Sequence, residues 1–142
     1  MPLTGTYVRN LDDKHRLAIP KSLREEMGNG ERVYLAPGTE TSLVLYSETE
    51  FEAVASRFAA ASSHRPDTRN YLRLFYSRAE RLDVDKQGRV RIPERLVQFA
   101  SLEREVVLLG VHDHAEIWDQ SRWQHFLEQN AAEFDRLATD AI

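Results

Sequence analysis

The chain has 142 residues, 42% of them hydrophobic, which is room for one ordinary domain with a real core or for two very small units. A charged fraction of 30%, only 6 Gly and 5 Pro, and no low-complexity tract exclude wholesale disorder and collagen-like structure. The lack of cysteine excludes disulfide frameworks, thiolate metal sites and Cys nucleophiles, and a formal net charge of −4, taken as one number, argues against a nucleic-acid partner.

Taken in chain order, Met1 to Thr6 shows neither a basic nor an apolar leader region, and the hydrophobic stretch Val106 to Leu109 is far too short for a membrane span. A cytosolic chain is expected. Tyr7 to Leu11 reads as a strand and Asp12 to His15 as a turn, after which Leu17 and Ile19 point to one face and Arg16 and Ala18 to the other. Pro20 suits the first turn of a short helix, where a missing N–H costs nothing, and Gly28 can supply a left-handed stop after Met27. Arg32 to Ala36 and Ser42 to Tyr46 then read as a strand pair. Ser47-Glu48-Thr49-Glu50 is a capping box, followed on one helical face by Phe51, Val54, Ala55, Phe58 and Ala59. Ser62 to Pro66 breaks that helix, and Asp67 is placed to cap a linking helix through Ser77, buried by Leu72, Phe75 and Tyr71.

The remainder repeats the beginning. At a shift of 73, Leu11 to Pro20 lies over Val84 to Pro93, with Asp12 on Asp85, Arg16 on Arg89, Ile19 on Ile92 and Pro20 on Pro93. Leu23 then meets Leu96 and Val33 meets Val106; after a slip to 72, Leu45-Tyr46 meets Ile117-Trp118 and Phe51 meets Trp123. In the second copy Val90 and Ile92 form the inward pair, Arg89 and Arg91 face outward, and Glu105 to Val111 pairs with Ala115 to Trp118. Ser121-Arg122-Trp123-Gln124 is expected to start the last helix, striped by Trp123, Phe126, Leu127, Phe134, Leu137 and Ala138. A copy of about seventy residues is marginal alone. The expected fold is therefore α+β, with two tandem β units and short helices packed as one pseudo-twofold body. The expected boundaries are 5–50 for the first unit, 51–78 for linking helices, 79–122 for the second unit and 123–142 for a C-terminal helix.

Counted by segment, the charge is uneven. Tyr7 to Arg24 carries +3, Arg65 to Arg95 carries +4, and everything else carries −11. Positive charge gathers around the repeated turn, where an outward arginine suits a two-stranded ribbon entering a major groove. A guanidinium can donate two hydrogen bonds to guanine O6 and N7, which a lysine matches less well. Asp12 and Asp85 can accept turn N–H groups or hold the arginine; the first, a mostly structural role, is the commoner reason for Asp in turns. Lys14, Lys86 and Arg91 would supply phosphate contacts. Among rival chemistries, His112-Asp113-His114 resembles a metal-ligand cluster only weakly, and no nucleophile elbow, Walker loop or dinucleotide fingerprint is present. No enzyme, metal or cofactor is expected.

The tandem Leu-Asp-x-x-x-Arg-Leu-x-Ile-Pro and Val-Asp-x-x-Gly-Arg-Val-x-Ile-Pro blocks, the linker Leu72 to Ser77, and Val107 to Val111 followed by Glu116-Ile117-Trp118 resemble the bacterial MraZ family. The resemblance covers nearly the whole chain. It implies two AbrB-like swapped-hairpin (SpoVT-AbrB) units, a ring-shaped homo-oligomer and double-stranded DNA as partner. It also implies a nucleoid-associated transcriptional regulator, a repressor of the division and cell-wall gene cluster, binding guanine-rich direct repeats in its own promoter. The family's DNA-contacting arginines map onto Arg16 and Arg89. The turn glycine is present as Gly88, whereas the first copy has His15, which a positive φ would strain; the first turn is expected to differ slightly. The alternative is an AbrB-like antitoxin or protein-interaction module, which would ordinarily carry one hairpin unit and a disordered tail.

Overall fold

The computed structural model describes residues 2–60 and 64–142. In chain order the elements are β1 (Thr6–Asn10), β2 (Arg16–Ala18), α1 (Lys21–Glu26), β3 (Arg32–Pro37), β4 (Leu43–Ser47), α2 (Glu48–Ala60) and α3 (Pro66–Arg78). The second copy follows as β5 (Glu80–Asp83), β6 (Arg89–Arg91), α4 (Glu94–Phe99), β7 (Glu105–Val111) and β8 (His114–Asp119). The chain ends in α5 (Gln120–Asn130), a 3-10 turn (Ala131–Glu133) and α6 (Phe134–Ala141).

The strands cross between copies. A six-stranded sheet runs β1-β7-β8-β4-β3-β5, so the first strand of each copy pairs antiparallel with the third strand of the other. A separate ribbon pairs β2 with β6. In that ribbon Leu17 faces Val90, and in the sheet Val44 faces Glu116, each residue opposite its own repeat equivalent. The pseudo-twofold axis passes through both pairs. Neither the β1–turn–β2 segment nor its repeat closes on itself as a simple hairpin; each is completed by the other, which is the swapped arrangement.

Period-two alternation assigns the two faces of the sheet. Val33, Leu35, Leu43 and Leu45 join Val106, Leu108, Ala115 and Ile117 in one core with Leu17, Val90, Leu23 and Leu96 from the ribbon and short helices. The intervening residues Ala36, Val44 and Tyr46 meet Val54 of α2 and Phe75 of α3, while Val107, Leu109 and Trp118 meet Trp123 and Phe126 of α5. Both copies feed the central core, which explains why neither buries enough surface alone.

Several local expectations are corrected. Pro20 and Pro93 occupy the N-cap rather than the first helical position of α1 and α4. The α3 cap is Arg65, with Pro66 opening the helix and Asp67 inside the first turn. Only Phe75 among its expected core residues is buried; Tyr71 is exposed and Leu72 half-buried. Of the expected break before α3, Ser62 and Ser63 lie outside the described residues. The last helix starts at Gln120, ahead of the expected Ser121 start, because Asp119 caps it: Asp119 Oδ2 accepts from the Ser121 N–H at 3.2 Å and its hydroxyl at 2.6 Å. Its apolar stripe is also broken by the 3-10 turn, which leaves Phe134 68% and Leu137 41% exposed. Other signals behave as read. Ser47 Oγ accepts from the Glu50 N–H at 3.1 Å, and Gly28, at φ 93°, ends the first short helix after Met27. Among the described residues no helix is long and apolar enough to cross a membrane.

Candidate nucleic-acid interface

Asp12 builds the first turn. Its Oδ1 accepts from the backbone N–H groups of Lys14 at 2.9 Å and Arg16 at 2.8 Å, and its Oδ2 accepts from Arg16 Nε at 2.6 Å. The second turn repeats this: Asp85 Oδ1 accepts from the N–H groups of Gln87 and Arg89, both at 2.9 Å, and Oδ2 from Arg89 Nε at 3.0 Å. Each aspartate thus shapes the turn and also holds the arginine. The turn-shaping role expected of each Asp is present, and the same carboxylate also performs the second task through its other oxygen. The Arg16 backbone N–H is the main reason the Asp12 carboxyl is pushed down to about 2, and Asp85 is lowered in the same way by the Arg89 N–H. Both carboxylates stay charged, and the Nε end of each guanidinium is fixed while its Nη edge has no protein acceptor among the described residues.

The two turns are alike in backbone. His15 N–H donates to the Asp12 carbonyl and Gly88 N–H to the Asp85 carbonyl, each at 2.9 Å. His15 takes φ 60° and Gly88 φ 77°, so the first turn keeps the same conformation and the expected difference does not occur. His15 instead tolerates a left-handed backbone, which side chains with a Cβ disfavour.

The ribbon then arranges the cations. Arg16 lies directly opposite Arg91, and Arg89 opposite Ala18, with Leu17 and Val90 turned inward at 0% and 1% exposure. Like charges facing each other across a strand pair are unfavourable without a counter-anion. Arg16 has Asp12, but Arg91, Lys14 and Lys86 have no acidic partner among the described residues. Two of the other bases in the positive segments are occupied by the protein: Arg95 pairs with Glu80 at 2.9 Å, and Arg78 lies over the Phe99 ring at 5.5 Å. The structure therefore brings Lys14, Arg16, Lys86, Arg89 and Arg91 to the ribbon and its turns.

One residue at this site escapes sequence reading. Arg24, on α1 of the first copy, lies against Gly88 of the second: a Cβ built at Gly88 would sit 2.6 Å from Arg24 Nε. Its Nε donates to the Ile19 carbonyl at 3.1 Å. The contact crosses between copies, so no local spacing reveals it. The one trace is that the repeat equivalents, Val97 and His15, reverse the sizes of Arg24 and Gly88.

The metal-like triplet is put to another use. His114 Nδ1 lies 2.8 Å from Asp113 Oδ1 and its Nε2 3.4 Å from Glu116 Oε2, while Glu116 Oε1 accepts from Trp118 Nε1 at 2.9 Å. The His112 backbone bridges to Leu3.

Fold and site together define a class: an α+β protein of two tandem units with exchanged strands that displays two aspartate-held arginines on one ribbon. The profile of the family described as "MraZ protein, putative antitoxin-like" matches twice, over residues 3–74 and 75–142, and the chain belongs to this family. A protein of Limosilactobacillus fermentum named transcriptional regulator MraZ is 40% identical over 134 residues, covering 94% of this chain and 92% of its own. Proteins with that name from Mesoplasma florum, at 37% over 134 residues (94% and 91%), and Kocuria rhizophila, at 38% over 138 residues (97% and 95%), are similar throughout. These relatives are named as regulators of transcription and not as enzymes.

Proposed function

We propose that the protein is a sequence-specific DNA-binding transcriptional regulator, a repressor of the division and cell-wall gene cluster, that binds guanine-rich direct repeats in its own promoter as a ring-shaped homo-oligomer. The observation that carries this reading is the outward face of the ribbon, where Arg16 and Arg91 oppose each other and each turn arginine is held by its aspartate through Nε. A guanidinium fixed by that edge keeps its Nη groups for the O6 and N7 acceptors of guanine, a bidentate contact that discriminates by about 1–3 kcal/mol. Arg16 and Arg89 are diagonal neighbours in the ribbon, roughly 7–8 Å apart along the backbone, about two base-pair steps. Lys14, Lys86 and Arg91 contact phosphates; Asp12, His15, Asp85 and Gly88 shape the turns. A ring presenting several ribbons would meet direct repeats spaced by about one helical turn, near 10 bp, and avidity would multiply individually weak contacts.

The test is a gel-shift series on promoter DNA. Arg16→Ala and Arg89→Ala should each weaken binding and relax the guanine preference, and unchanged affinity in both proteins sinks the assignment. The family description also favours an antitoxin-like reading, which makes a distinct demand: rapid loss of the segment after Asn130 in limited proteolysis, with protection by a protein partner instead of DNA.

A further inference from the structure

The two reading turns share a backbone but not a charge environment. At the first, Lys14, Arg16 and the facing Arg91 are accompanied by Asp12 and Asp13. At the second, Lys86 and Arg89 are accompanied by Asp85, and the Arg24 guanidinium is laid directly over Gly88. The ribbon explains how it gets there. Ile19 N–H donates to the Gly88 carbonyl at 2.9 Å, so the end of β2 runs beside the second turn, and α1 starts immediately after Pro20. Arg24 is in the first copy yet belongs spatially to the turn of the second. Gly88 is thereby required for two reasons: its φ of 77°, and the absence of a Cβ where the guanidinium lies. At the equivalent place beside the first turn, residue 97 is valine and buried, so His15 has no arginine above it.

Arg24 is half-exposed, donates one Nε bond to a carbonyl and has no carboxylate partner among the described residues. We propose that Arg24 is a DNA-backbone contact of the second turn, supplied across the pseudo-twofold by the other copy, and that the second turn therefore binds DNA more strongly than the first. This rests on the DNA-interface reading above. Arg24 contributes affinity without sequence preference, because a phosphate contact positions and does not read bases.

The experiment compares the full chain with Arg24→Gln, Arg24→Lys, Arg16→Ala and Arg89→Ala. The probe is a labelled duplex of the protein's own promoter region, set beside a scrambled duplex of equal composition, over a salt series. Arg24→Gln should lower the slope of log affinity against log salt by about 0.9 for each phosphate it ceases to neutralise. It should weaken promoter and scrambled duplexes by the same factor, and Arg24→Lys should keep the slope. Arg89→Ala should weaken promoter binding more than Arg16→Ala does. An unchanged slope in Arg24→Gln, weakening that Arg24→Lys shares, or a larger loss in Arg16→Ala than in Arg89→Ala overturns the inference while leaving DNA binding intact. Undiminished promoter binding in both Arg16→Ala and Arg89→Ala overturns instead the reading on which it rests.

Discussion

At the residue scale the two jobs of Asp12 can be separated. Asparagine keeps an Oδ1 that accepts the Lys14 and Arg16 N–H groups but loses the anionic partner of Arg16 Nε. Asp12→Asn should therefore retain the turn while impairing guanine preference, which competition with base-substituted duplexes measures. The carboxyl is depressed from 3.8 to about 2, so its contribution is fully present above 3.8 and is lost as the pH falls through about 2. The stability difference between the native chain and Asp12→Asn should shrink across that window in acid denaturation. His15 offers the complementary change. Its φ of 60° is strained for a residue with a Cβ, and His15→Gly relieves that strain at the cost of a freer unfolded chain, so urea unfolding should show a gain of about 0.5–1 kcal/mol. Gly88→Ala runs the other way: it adds a Cβ at φ 77° and in the space of Arg24, and should lose about 1–2 kcal/mol.

At the element scale, legibility followed how local the controlling interaction is. The serine cap at Ser47, the stop at Gly28 and the apolar runs of β3, β4 and β7 are written within a few residues, and each formed within about one residue of where the sequence placed it. The start of α5 was misread because Asp119 has a second duty: its Oδ1 accepts from the Glu103 N–H, sixteen residues away, at 2.9 Å. That bond ties the loop before β7 to the helix start and puts the capping aspartate in the core at 5% exposure. Asp119→Ala should accordingly cost about 2 kcal/mol, more than the roughly 1 kcal/mol of an ordinary cap, in matched urea titrations with Ser47→Ala as the reference. His114 gives β8 a pH-dependent tie. Its hydrogen bond to Glu116, chiefly, and that to Asp113 raise the imidazole above 6.5, and Asp113 in turn faces Arg57 of α2 at 3.6 Å. A raised value means stability fully present below 6.5 and lost as the pH rises through the folded value. The advantage of the native chain over His114→Gln should fade as the pH rises beyond 6.5, and a constant difference from about pH 5 to about pH 9 would show that protonation of the imidazole ties nothing.

At the scale of the whole molecule, the net charge and the repeat carried opposite messages until position was added. The −4 averages an acidic remainder with two basic segments, and the fold brings the turn-and-strand part of each segment to one ribbon, leaving the α3 arginines elsewhere. The repeat by itself does not disclose the exchange, which only the family resemblance implied; the pairing of β1 with β7, β5 with β3 and β2 with β6 makes each copy incomplete without the other. That exchange has a thermodynamic signature. Both tryptophans, Trp118 and Trp123, lie in the second copy, packed on each other at 5.4 Å, whereas backbone circular dichroism reports on all elements. If each copy held its own core, fluorescence would follow the second alone and the two probes would separate. Because Leu17, Val33 and Leu45 share one core with Val90, Val106 and Ile117, removing either copy exposes the inner face of the other. Fluorescence and dichroism should therefore trace one coincident urea transition. Leu17→Ala, in the first copy but on the axis, should shift both curves equally by about 3–5 kcal/mol. Two resolved transitions, or a Leu17→Ala shift seen by dichroism and not by tryptophan, would show that the copies fold separately.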